Sequence, residues 1–232
     1  MKSAPSLFQS TLLMKAVMAI TGVILFGFVV AHMTGNLKVF LGPEAINHYG
    51  EWLRVMGDPL FPRTTALWAT RIVLLASVVL HTAAAVQLTL INRRARPQGY
   101  RSYRPVQLDY ASRTMRWSGF LILFYVIYHL MHLTWGNAHA DFIPGDVYHN
   151  LVVAFRQWPI ALVYVVASVL LGFHLYHGLW SMFQSLGIDH PAIKRWRRPF
   201  AVIFSVAITV GYIAVPIAIL SGFVGLEGEG SR

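Results

Sequence analysis

Residues 117–136 read WSGFLILFYVIYHLMHLTWG, twenty residues without an Asp, Glu, Lys or Arg. A run of that length and polarity crosses the roughly 30 Å hydrocarbon core of a bilayer as one helix. Nothing else in the chain restricts its fold as tightly, because backbone groups in lipid must pair within their own segment or within a closed barrel. Four further apolar runs are long enough to cross likewise, over residues 12–40, 65–91, 159–186 and 200–223, with no acidic residue and only Lys15, Lys38 and Arg71 as Lys or Arg. The expected fold is therefore all-α: one integral membrane domain over residues 1–232 with five transmembrane helices. Only 12% of the residues are charged, about half the fraction usual in soluble domains. The first run is long and is followed by other spans, unlike a cleaved signal segment.

The connections carry the remaining polarity. Ala45–Val55 (AINHYGEWLRV) reads as a short amphipathic helix at the membrane surface, closed by Gly57-Asp58-Pro59. Residues 137–157 read as a mixed loop around Pro144-Gly145. The second-to-third connection and its span ends hold Arg93, Arg94, Arg96, Arg101, Arg104, Arg113 and Arg116, and the fourth-to-fifth holds Lys194, Arg195, Arg197 and Arg198. The other side carries Glu44, Glu51, Asp58, Asp141, Asp146, Glu227 and Glu229, seven of the nine acidic residues. The positive-inside rule then places the N-terminus in the cytoplasm and the C-terminus outside. The net charge of +10 belongs to a cationic membrane face suited to anionic lipid or a docked partner, not to nucleic-acid binding. The chain has no cysteine, which excludes cysteine-ligated iron–sulfur clusters and covalent c-type haem within it.

Six of the ten histidines lie inside spans: His32, His81, His129, His132, His174 and His177. Polar groups at membrane depth face the bundle interior, a partner or a cofactor. A lone histidine has even odds of being an interhelical hydrogen-bonding group, but four consecutive spans here each contribute at least one. His32 and His129 lie near the outer ends of their helices. His81 and His174 lie twelve and thirteen residues from Arg93 and Gly187, roughly 18–20 Å from the cytoplasmic end. Spans one and three thus offer an outer pair and spans two and four an inner pair, the arrangement of two bis-histidine b-type haems between the first four helices. Spacing alone does not choose between His129 and His132, or between His174 and His177.

Small residues fit the same scheme. Thr21-Gly22 precedes His32 as Ser118-Gly119 precedes His129, each glycine ten residues before its histidine. Those glycines fall about 15 Å cytoplasmic of the outer pair, at the level of the inner one, where a missing side chain would let a macrocycle approach. Gly178 and Ala85, one turn past His174 and His81, would clear space likewise. Small-residue helix packing is the competing explanation for each. Ser77, one turn before His81, is placed either to hold that imidazole's second nitrogen or to hydrogen-bond its own helix backbone. Arg71, near the outer end of span two, would reach a haem propionate or snorkel to the interface. His48 is a candidate for an outer quinone site.

The stretches TGVILFGFVVAHMTGNLKVF, SGFLILFYVIYHLMHL and FHLYHGLWSMFQSLG, with the five-span layout, resemble the single-chain dihaem cytochrome b membrane anchor of type B succinate:quinone oxidoreductases and the related fumarate reductases. The resemblance implies His32 and His129 as ligands of the outer haem b, and His81 and His174 as ligands of the inner one. His129 follows Ser118-Gly119 at the family's spacing and His174 precedes Gly178-Leu179-Trp180 by one turn, leaving His132 and His177 as spares. It further implies a quinone, with menaquinone expected. The outer acidic residue used by menaquinol-oxidising members would fall among Glu44, Glu51 and Asp58. A flavoprotein and an iron–sulfur subunit are implied at the cytoplasmic face of the plasma (inner) membrane. Some fumarate-reducing members carry a glutamate two residues before the fourth-span ligand; here that position is Gly172. Competing readings are the cytochrome b subunit of a hydrogenase or formate dehydrogenase, a desaturase with a histidine-bound di-iron centre, and a transporter, which the missing midplane carboxylates disfavour.

Overall fold

In the computed structural model, which describes residues 10–94, 110–185, 187–188 and 190–226, every regular element is a helix. The first, α1, covers Thr11–Asn36, and its N-cap Ser10 accepts a hydrogen bond from the Leu13 N–H, relieving one orphan donor of the first turn. It tightens into a 3-10 turn over Leu37–Leu41 and stops at Gly42, whose φ of +95° suits a residue without a Cβ. Helix α2 covers Pro43–Val55, with proline in its first turn, where its missing N–H costs nothing. Then follow α3 (Thr65–Arg94), α4 (Tyr110–His129), α5 (Val147–Phe155), α6 (Trp158–Ser185) and α7 (Pro191–Leu220).

Five helical segments are long and apolar enough to cross a membrane: Thr11–Leu41, Thr65–Arg94, Met115–Thr134, Trp158–Gln184 and Ile193–Leu220. They present large apolar side chains outward along their length, Leu75, Phe124 and Ile203 among them, the pattern of a multi-pass membrane protein whose solvent is lipid. One end of the bundle, here the basic end, carries Arg93, Arg94, Arg116 and Arg198. The other, the capped end, carries α2 and α5. The loop arginines Arg96, Arg101 and Arg104, the breaks expected at Pro97, Gly99 and Pro105, and the tail residues Glu227, Glu229 and Arg232 lie outside the described residues.

The spans pack as two pairs, α1 with α3 and α4 with α6, while α7 lies against α6 and α1. Met14, Ala84 and Leu88 close the α1–α3 seam. A hydrogen bond of 2.8 Å from the Tyr212 hydroxyl to the Val29 carbonyl ties α7 to α1. Gly172 brings α6 so close to α7 that a Cβ there would overlap the Thr209 hydroxyl. The largest core sits at the capped end, where Val39, Ile46, Tyr148, Val152, Phe155, Tyr164, Val215 and Ile219 come together. Asn47 joins the two short helices across it, donating to Asp146 Oδ1 at 2.9 Å and accepting from the Tyr148 N–H at 3.0 Å. The chain thus runs twice through one plan, long helix, irregular turn, short capping helix, long helix: once as α1–α2–α3 and again as α4–α5–α6.

Three features depart from the expectations. Helix α5 occupies what reads as a loop; the Asp146 side chain caps it by accepting from the His149 N–H, and its buried Val152, Ala154 and Phe155 supply the folding drive. Helix α7 starts at Pro191 and carries the basic run inside its first turns, with Pro199 and Pro216 within the helix. The third span does not remain α-helical: after His129 it loosens into a π-turn over Leu130–Thr134.

Candidate functional site

Two histidine pairs meet across the space between the α1–α3 and α4–α6 pairs. His32 on α1 faces His129 on α4 with ring centres 5.8 Å apart. His81 on α3 faces His174 on α6 with ring centres 6.3 Å apart. Each pair draws one imidazole from each half of the duplicated plan. Metal–imidazole bonds of roughly 2 Å on opposite sides of one ion require ring centres at about this separation. His129 Nδ1 and His174 Nδ1 are buried without a hydrogen-bond partner among the described residues.

The inner pair is framed by the twin motifs. A Cβ on Gly22 would come to 3.5 Å from His81 Cε1, and a Cβ on Gly119 to 3.5 Å from His174 Cε1. Each glycine therefore borders an inner imidazole held by the neighbouring helix of its own pair. The residue before each is buried: Thr21 on α1 and Ser118 on α4. Thr21 Oγ1 donates to the Val17 carbonyl at 2.7 Å and lies 3.1 Å from His81 Nδ1. With its proton committed, that oxygen accepts from an Nδ1–H, which leaves His81 Nε2 as the lone-pair nitrogen. Ser118 donates instead to the Met115 carbonyl at 2.9 Å. The hydroxyl beside His81 Nδ1 is thus that of Thr21 on the neighbouring helix α1; Ser77, one turn before His81 on α3, is also buried. Thr21 was already marked by its place in the repeated pair, but only packing reveals which imidazole it serves.

His132 and His177 make other contacts. In an uninterrupted α-helix His132 would share much of the His129 face; the wider π-turn carries it round the axis. His132 is 1% exposed, lies 2.9 Å from the Tyr164 hydroxyl through Nδ1, and stacks between Tyr128 and His139. His139 is itself held by the Asp141 N–H and the Asn150 carbonyl. His177 packs edge-on to Trp180. Around the outer pair, Phe28 stacks on His32, while Tyr125 and Tyr164 pack against His129.

The remaining candidates lie further out. Gly178 has open space where its Cβ would be. Arg71 is exposed and lies over the Trp68 ring at 5.0 Å. Glu44, His48 and Glu51 fall on one stripe of α2 at the capped end, since residues four and three apart share a helix face. Glu44 and His48 are exposed there, whereas Glu51 binds both Arg54 and Arg63. Asp58 is exposed in the turn beyond. Among the described residues no three His, Asp or Glu side chains cluster as metal ligands. A carboxylate–histidine di-iron centre requires such a cluster.

Residues 92–214, just over half of the chain, match the family model described as the succinate dehydrogenase/fumarate reductase transmembrane subunit. The matched region contains His129 and His174 but not His32 or His81. No curated protein and no solved structure matches the chain.

Proposed function

This chain belongs to the succinate dehydrogenase/fumarate reductase transmembrane subunit family, and from that membership we propose that it is a dihaem cytochrome b anchor. It relays electrons between an iron–sulfur subunit docked on its basic end and a quinone in the membrane, with menaquinone the expected species. The observation that carries this reading is the facing of His32 with His129 and of His81 with His174, at two depths, between the two helix pairs.

Each haem b, when bound, supplies a one-electron carrier whose potential depends on its axial ligands and surroundings. The chain's own residues do the rest. His32 and His129 would hold the outer group, and His81 and His174 the inner one. Thr21 fixes the His81 ring by accepting its Nδ1–H, so that Nε2 presents its lone pair. Gly22 and Gly119 keep side-chain bulk away from the inner imidazoles. Phe28, Tyr125 and Tyr164 pack aromatic surface around the outer pair and exclude water from it. Along α1, ten residues separate the level of the inner pair from that of the outer, about 15 Å, so the two sites divide the crossing into short steps.

The outer quinone site falls to the stripe on α2. Two-electron quinol oxidation releases two protons, and Glu44 and His48, exposed and one turn apart, would accept them at the capped end. Glu51, held between Arg54 and Arg63, would instead position that helix, and Asp58 stands at its edge. In this reading the basic end faces the cytoplasm of a cell bounded by its plasma membrane, with the N-terminus on that side. The flavoprotein subunit, docked through the iron–sulfur subunit, interconverts succinate and fumarate.

Isolation of the chain under native conditions from its source membrane tests the assembly. A flavin-containing and an iron–sulfur polypeptide should accompany it, and dithionite reduction should give b-type haem bands. Isolation with a [NiFe]-type or molybdenum-containing partner would contradict the reading in favour of a different respiratory complex.

A further inference from the structure

At the basic end, α6 and α7 enclose a cleft of about 330 Å³ lined by Phe183, Ile193, Trp196, Arg197 and Phe200. Four of these five side chains are aromatic or aliphatic. The fifth is charged and 94% buried, Arg197 being only 6% exposed. Its neighbours Lys194, Arg195 and Arg198 are exposed. Arg197 Cζ lies 5.4 Å from the centre of the Trp180 ring. Its Nε and Nη1 are buried with no hydrogen-bond partner among the described residues. A guanidinium taken out of water without an anion to pair with is costly, and its planar fork matches the oxygens of a phosphate.

We propose that this cleft is a binding site for an anionic phospholipid. Its phosphate would sit on Arg197 and its glycerol and upper acyl chains against Phe183, Ile193, Trp196 and Phe200. Three features select this ligand. The arginine lies four residues inside the span that begins at Ile193, about 6 Å from the end, which is headgroup depth. The exposed cations on the rim attract anionic lipid to that surface. The cleft opens outward, with Trp196 at its mouth 67% exposed. A haem propionate is not the anion: Phe183 follows His174 by nine residues, which at about 100° per residue places it on the opposite face of α6. The site is therefore separate from both histidine pairs, and the proposal stands whether or not they hold haem.

Native mass spectrometry of the purified chain in detergent tests it, with phosphatidylglycerol and phosphatidylcholine of identical acyl chains offered in equal amounts. The wild type should retain phosphatidylglycerol over phosphatidylcholine by at least about tenfold, because the choline cation of the latter offsets the phosphate charge that Arg197 would pair with. Arg197→Gln should abolish that preference, while Arg195→Gln, on the exposed rim, should keep it. Inorganic phosphate at millimolar concentration should not displace the lipid. Should Arg197→Gln fail to fold, Ile193→Trp, which fills the cleft and keeps the arginine, should lose the lipid instead. Equal retention of the two lipids, displacement by inorganic phosphate, or undiminished preference in either cleft variant would overturn the proposal.

Discussion

His129 and His132 are three residues apart in one apolar run, yet the structure gives them different work. One faces His32 across the bundle, and the other is locked to Tyr164 and stacked between Tyr128 and His139. His129→Ala should therefore remove the outer haem alone, leaving half the wild-type haem content, while His132→Ala should keep both. Separate redox titrations of the two centres check this. Loss of a haem in His132→Ala, with none lost in His129→Ala, would reverse the assignment. Thr21→Val tests the hydroxyl that lies beside His81 Nδ1. It removes the acceptor on His81 Nδ1 at nearly constant volume, so the imidazole becomes a poorer electron donor. The inner centre should rise in potential and hold its haem about tenfold or more weakly, and Thr21→Ser should restore both.

Among the elements, the spans were legible in the sequence because twenty-residue apolar runs admit one conformation in lipid. Their ends and phase were less so. The π-turn after His129 leaves no compositional mark, since LMHLT is as compatible with an α-helix, and it carries His132 away from the face His129 occupies. Helix α5 stayed hidden because nine residues between a Pro-Gly turn and the next span are too few for a periodic signal. Gly172 shows how packing overrides analogy. The glutamate that some relatives are expected to carry there has no room here, because α7 approaches through Thr209 and Ser205. Gly172→Ala should cost about 1–3 kcal/mol through overpacking, read as a lowered melting temperature with haem content unchanged. Asn47→Ala should loosen the α2–α5 cap by a comparable amount, since it strands the Tyr148 N–H.

For the whole molecule, the sequence conveyed the two-depth arrangement because helix rise turns residue number into depth; which helices adjoin had to come from packing. The fold stacks α1 with α3 and α4 with α6, so each histidine pair spans both halves of the duplicated plan and neither half can complete a site alone. Orientation is open to a direct test, because the chain has no cysteine of its own. A cysteine introduced at Ser221, on the capped end, should react with a membrane-impermeant maleimide added to whole cells. One at Lys194, on the basic end, should react only after lysis. The opposite pattern would invert the topology and move the docking face to the other side. The central claim, that two pairs of imidazoles each hold a haem b, is tested most directly by a pyridine haemochrome assay on the purified chain, normalised to protein by amino-acid analysis. Two haem b per chain is the predicted result; one would break the pairing of four ligands, and none would contradict the cytochrome reading altogether.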